Sequence, residues 1–212
     1  MLLGLSATAE WFPSFVTDIG GATWEGIMRE HEYVEYWAGL MPDMLNGAPR
    51  PDVWTMPPTP MCAKNSAMPD RVVFIAFSAT TNPTYGNYAN PSDPTVTANW
   101  VKAIELVVGK IQMHWPIVKR IELMTFPRSP TSAPNGDCSP MATSNHEQIV
   151  IPSLDDAIAQ VVQNHPALVA ATPKFYVGNC NWFNGPNSAH FAAGGNATAV
   201  AQMFADYYKT HP

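Results

Sequence analysis

The sequence predicts an α/β protein, a three-layer α/β/α sandwich built on a mainly parallel sheet. Short apolar runs rich in β-branched and aromatic residues alternate with segments of helical periodicity, the pattern of a sheet covered by helices on both faces. Two of the runs, around "VVFIAF" and "IELM", are almost unbroken in apolar character. A strand with one face in water would alternate instead. Long loops rich in Pro, Asn and Ser follow those two runs, which is where an open parallel sheet carries its functional groups.

In chain order, the predicted strands are "SFVTDIGG" (14–21), "RVVFIAF" (71–77), "KRIELMTF" (119–126) and "KFYVGNC" (174–180). Turn residues bound each one. The helix before the third run has Thr97 as its cap and Val101, Ile104, Val108 and Ile111 on one stripe, and Pro116 stops it. In "SLDDAIAQVVQNHP", Ser153 stands as N-cap and Asp156 at the acid position of a capping box. Leu154, Ala157, Ile158, Val161 and Val162 form its apolar face. The last helix starts near Asn196 and carries Val200, Met203, Phe204 and Tyr207 inward. At 212 residues without internal repeats, the chain reads as one domain over 1–212.

Composition narrows the function. Charged residues make up 13 % of the chain, the formal net charge is −6, and no Lys/Arg run occurs. Nucleic acid and anionic membrane surfaces are therefore poor partners. No apolar run approaches the roughly 18 residues needed to span a bilayer. "MLLGL" is too short for a signal-peptide core and has no basic flank, so the expected setting is intracellular, or else a leader has been removed. Cys62, Cys138 and Cys180 contain no C-x-x-C pair, which argues against a zinc site. The phosphate-loop, dinucleotide and G-x-S-x-G signatures are all missing. The carboxyl edge of the sheet is left with small residues, amides and one histidine: Gly20 and Gly21, Asn82, and His190.

That ordered set resembles the SGNH (GDSL-type) hydrolases. The resemblance rests on "VTDIGGATWEGI" as the second block, "VVFIAFSATTNP" as the third, "IVKRIELMTFPRSP" as the strand and turn that follow, and "NSAHFAAGGNATAVAQMFADYY" as the fifth. It covers most of the chain from about residue 14 onward. The third block keeps only Asn82 of its usual G-x-N-D, and the fifth has Asn187 where the family has the Asp of D-x-x-H.

The resemblance implies a flavodoxin-like sandwich and a serine esterase mechanism without metal or cofactor. A Ser attacks an ester carbonyl, His190 takes its proton, and Asn187 stands at the orienting position. Gly21 (or Gly20) and Asn82 fall at the oxyanion positions. Trp182 and Phe183, shortly before His190, would wall the site for an acyl group. The substrate would be a carboxylic ester, an acyl or acetyl group on a small molecule or glycan. The family also places the last two strands side by side, which would bring Cys138 and Cys180 together as a disulfide.

The nucleophile has two alignments. In one, Gly4-Leu5-Ser6 stands for G-D-S, "MLL" is a strand stub, and Ser6 attacks. In the other, "LLGLSATAEWFPSFV" is the end of a helix leading into the second strand, and the first strand and its serine are absent. An interior strand edge left open in this way would invite pairing with a second copy of the chain. Ser78, at the end of "VVFIAFS", is a third candidate. Beside the esterase stand two other readings: a catalytically silent SGNH-like domain kept for binding, and a flavodoxin-like binder of a small ligand. His31, His114, His146, His165 and His211 have no site company in the sequence.

Overall fold

The computed structural model describes residues 1–19, 24–29, 33–41, 44–45, 48–49, 53–55, 69–78, 84–86, 90, 92–127, 152–178, 182–183, 190–191 and 195–212. Five strands form one parallel sheet: β1 (Leu2–Leu5), β2 (Gly26–Arg29), β5 (Arg71–Ala76), β6 (Arg120–Thr125) and β7 (Val169–Ala171). A two-stranded antiparallel pair, β3 (Met44–Leu45) and β4 (Ala48–Pro49), stands apart from it. The main sheet runs β2-β1-β5-β6-β7. Counted over its own strands this is the order 2-1-3-4-5, and the chain reverses its winding between β1 and β5.

The pleat sends alternate residues to opposite faces. Leu2, Val73, Ile75 and Met124 enter one core with α1 (Ser6–Asp18) and α5 (Gly195–Thr210). Leu3, Val72, Phe74, Ile121 and Leu123 enter the other, with α2 (Val34–Trp37), α3 (Pro94–His114) and α4 (Pro152–Asn164). Helices α1 and α5 pack together on the first face, and α3 and α4 on the second. The predicted three-layer sandwich is therefore the fold.

Of the predicted strands, those at 71–77 and 119–126 form as β5 and β6. The other two do not. Residues 14–18 are the last turns of α1, and β2 begins only at Gly26. Ser14, Phe15, Val16 and Thr17 look β-rich, and Pro13 looks like a break. Yet Ala7, Trp11, Phe12, Phe15 and Val16 recur at helical spacing and are all buried. Their burial against α5 and Trp24 offsets a helix-interior proline that costs on the order of 3 kcal/mol. Trp11 lies with its ring centroid 4.5 Å from that of Phe204, and Phe15 with its own 5.1 Å from that of Trp24.

The last strand lies at 169–171 instead of 174–180. Thr172 still donates its N–H to the Leu123 carbonyl, and Pro173 then has no N–H with which to continue the ladder. Phe175 and Val177 are buried as core contacts of the α1–α5 face instead.

Helix boundaries also shift. The N-cap of α3 is Asp93, whose carboxylate accepts from Thr95 N at 2.8 Å, so Thr97 lies inside the first turn. Ser153 likewise falls within α4, and its hydroxyl donates to the Asp93 carbonyl at 3.4 Å. Helix α5 begins at Gly195; Val200 and Phe204 are fully buried, and Met203 and Tyr207 are partly so.

The first strand is present. Its four residues pair with β2 from Leu2↔Gly26 to Leu5↔Arg29 and with β5 at Leu2↔Val73 and Leu3↔Phe74. This overturns the alignment in which the first strand and its serine are missing. With β2 and β5 bonded to its two sides, β1 has no open interior edge, and the argument for a second copy pairing there falls away. Among the described residues no helix is long and apolar enough to cross a membrane.

At the amino end of the sheet, Glu122 is a buried carboxylate with three partners among the described residues. Arg71 Nη2 is 2.7 Å from it, Arg120 Nε is 2.5 Å away, and the Tyr208 hydroxyl donates at 3.1 Å. Arg71 Nη1 also donates to the His211 carbonyl at 2.7 Å, which ties the end of α5 to the start of β5.

Strand β1 ends at Leu5 and α1 begins at Ser6, with no residue between them. The helix therefore folds back directly over the strand. A Cβ on Gly4 would lie 2.6 Å from Thr8 Oγ1 and 2.8 Å from Thr8 Cγ2, and Thr8 is fully buried. Gly4→Ala is expected to destabilise the protein by about 1–3 kcal/mol, the usual cost of overpacking. For a chain of this size that lowers the melting temperature by roughly 2–12 °C, measured by calorimetry. Pairing it with Thr8→Ser, which removes the Cγ2 methyl, should recover part of the loss.

Candidate functional site

Because all five strands run parallel, the ends of β1 and β5 emerge side by side at the switch in winding, the usual ligand position of such a sheet. Ser6 stands there as the first residue of α1, half-buried. The first turn of a helix has unpaired N–H groups and the positive end of the helix dipole, so this place favours developing negative charge.

One turn further along α1 is Glu10. Its Oε1 is 2.6 Å from His190 Nδ1, and its Oε2 accepts the Phe191 backbone N–H at 2.8 Å. One carboxylate thus holds both the ring of His190 and the main chain of the next residue. Residues four apart on a helix share a face, with about 5–6 Å between their Cβ atoms. The structure therefore brings His190 to the face of α1 that carries Ser6. Among the described residues, no hydrogen bond joins Ser6 to His190. His190 and Glu10 have side chains 46 % and 31 % exposed, so the contact adds little to stability and acts mainly on orientation.

Aromatic rings fix the chain next to His190, at Phe191. Phe191 bridges to Phe183 in antiparallel fashion, with ring centroids 5.4 Å apart. It also stacks on Phe126 at 5.6 Å, and Phe126 meets Phe77 at 5.4 Å. Phe77 and Phe126 directly follow β5 and β6, so the row ties the histidine segment to the carboxyl ends of both strands. Phe183 is buried within this row, while Trp182 is half-buried and packs over Gly178.

Gly20, Gly21, Asn82, Asn187 and the three cysteines lie outside the described residues. Gly21 was expected to end a strand; with β2 beginning at Gly26, it precedes one instead. Ser78, the third candidate nucleophile, is 2 % exposed and its Oγ donates to Glu35, at 3.1 Å from Oε2 and 3.3 Å from Oε1. A buried hydroxyl engaged in this way is poorly placed to meet a substrate. Among the described residues no group of three or more His, Cys, Asp or Glu side chains could hold a metal ion.

Glu10 escaped the sequence reading. The signal was its spacing from Ser6, which has meaning only once Ser6 is known to start a helix.

Comparison with solved structures gives two similar chains. The C-terminal catalytic domain of Streptococcus pneumoniae peptidoglycan O-acetyltransferase A, determined with a methylsulfonyl adduct, aligns with 99 % of this chain and 89 % of its own length. The identity is 15 % and the TM-score 0.44. A second crystal structure aligns with 98 % of this chain and 94 % of its own, at 14 % identity and a TM-score of 0.50. No family model and no curated protein matches the sequence. Likeness at this level concerns the fold.

Beside the Ser78–Glu35 pair, burial pushes the Tyr85 hydroxyl up to about 12, and the nearby charge of Glu35 adds to the effect. Burial also raises Tyr208 well above its ordinary value, with Glu122 acting in the same direction. Both phenols ionise more readily in the unfolded chain, at about pH 10. The stability they contribute is fully present below that pH and is lost as pH rises through the folded value. Urea midpoints are thus expected to fall between about pH 10 and pH 12, and more gently in Tyr85→Phe. An unchanged slope in that variant would show that Tyr85 plays no part.

Proposed function

We propose that the carboxyl edge around Ser6 is a serine esterase site acting on carboxylic esters, with an acyl or acetyl group carried on a small molecule or glycan. The observation that carries this reading is the hold of α1 on His190: the helix that begins with Ser6 grips the histidine segment one turn later, through Glu10.

Ser6 Oγ attacks the ester carbonyl as His190 Nε2 takes its proton, and the carbonyl oxygen becomes an oxyanion. The N–H groups of the first turn of α1 face that charge. Collapse expels the alcohol, protonated by His190, and leaves an acyl group on Ser6. Water activated by His190 then releases the acid and restores the serine. Asn82 and Gly21 enter as oxyanion donors through the SGNH resemblance alone, and Trp182 is the candidate wall for the acyl group. The silent-domain reading rests on the missing G-D-S and on Asn187 in place of Asp. Gly4-Leu5-Ser6 still departs from that motif, while the paired β1 and the Glu10 carboxylate beside His190 support the esterase reading.

Hydrolysis of p-nitrophenyl acetate and butyrate tests the proposal. Ser6→Ala and His190→Ala should each lower kcat by about a thousandfold or more. A fluorophosphonate probe should label Ser6, as located by peptide mass spectrometry. Labelling of another serine, or full turnover in Ser6→Ala, would overturn the assignment.

A further inference from the structure

We infer that Glu10 is the positioning carboxylate of His190, and that its two oxygens together dictate which ring nitrogen carries the proton. The inference rests on the esterase reading only for its kinetic consequence.

An ionised carboxylate can only accept hydrogen bonds. Its Oε2 is committed to the Phe191 N–H, and its Oε1 faces His190 Nδ1 at 2.6 Å. The neutral imidazole must therefore present Nδ1–H to Glu10, which places the basic lone pair on Nε2. When His190 takes a proton, the same carboxylate offsets the new positive charge. Asn187, three residues before the histidine, could offer an amide but no charge. A carboxylate donated by the helix that bears the nucleophile, rather than by the histidine's own loop, also couples the positions of Ser6 and His190 through one rigid element.

Glu10→Gln separates this role from simple tethering. The single amide oxygen is drawn to the Phe191 N–H, a donor with no alternative tautomer. The amide NH2 then faces Nδ1, which must become the acceptor, and the proton moves to Nε2. Ring 15N spectra of His190, read on the neutral ring at the alkaline end of a titration, should show Nδ1–H in the parent protein and a shift towards Nε2–H in the variant. On p-nitrophenyl acetate, kcat should fall by about a hundredfold or more with KM changed less than threefold, the pattern of a wrong tautomer in an intact site. Asn187→Ala should lower kcat less than Glu10→Gln does.

Unchanged ring shifts in Glu10→Gln would overturn the proposal, because a tether alone survives that substitution. So would a collapse of kcat in Asn187→Ala with Glu10→Gln active. If the parent protein hydrolyses no ester, the esterase reading fails, and the ring spectra still decide what Glu10 does.

Discussion

The direct passage from β1 into α1 is the constraint on which the rest of the structure depends. A four-residue strand sits between β2 and β5, and its last residue is followed at once by a helix. Such a turn requires the helix to lie close over the strand, and Gly4 permits it by presenting no Cβ to Thr8. The direction of α1 then follows, and with it the burial of Trp11, Phe12 and Phe15 against α5. The same turn exposes Ser6 at the carboxyl edge and sets Glu10 one turn beyond it.

The two ends of the sheet are organised by different physics. At the amino end, a buried carboxylate, Glu122, is held by two arginines and a tyrosine. Removal of charge from water is costly there, and these partners offset it. At the carboxyl end, Glu10 and His190 remain partly in water. Their contact is weak as a source of stability and acts mainly on the orientation of the ring. Hydrophobic packing does the anchoring instead, through the row Phe77, Phe126, Phe191 and Phe183.

Parts of the candidate site were legible in the sequence. His190 stood out because a turn-rich run leads into it and a helix follows. Ser6 was legible only as one of two alignments, since "MLL" is short for a strand and Leu5 replaces the acid of G-D-S. Glu10 was not legible, because its partner is about 180 residues away in sequence and no local pattern signals the pairing. The two strand errors have a common cause. Short apolar runs satisfy either period, and burial against α5 made one a helix segment while Pro173 cut the ladder before the other.

By itself, the sequence determined the class: alternating apolar runs and helical stripes can be buried together only as helices over a parallel sheet, and "VVFIAF" and "IELM" are too apolar for any strand but a doubly covered one. It also pointed to the carboxyl edge as the place of a candidate site, since the loops rich in turn residues follow those strands. Tertiary structure decided whether β1 exists, because a four-residue strand is stable only with β2 and β5 bonded to its sides. It also decided which carboxylate meets His190. Glu10 lies 2.6 Å from Nδ1 because of where the packing of α1 brings it, and that is a distance through space that sequence order does not contain.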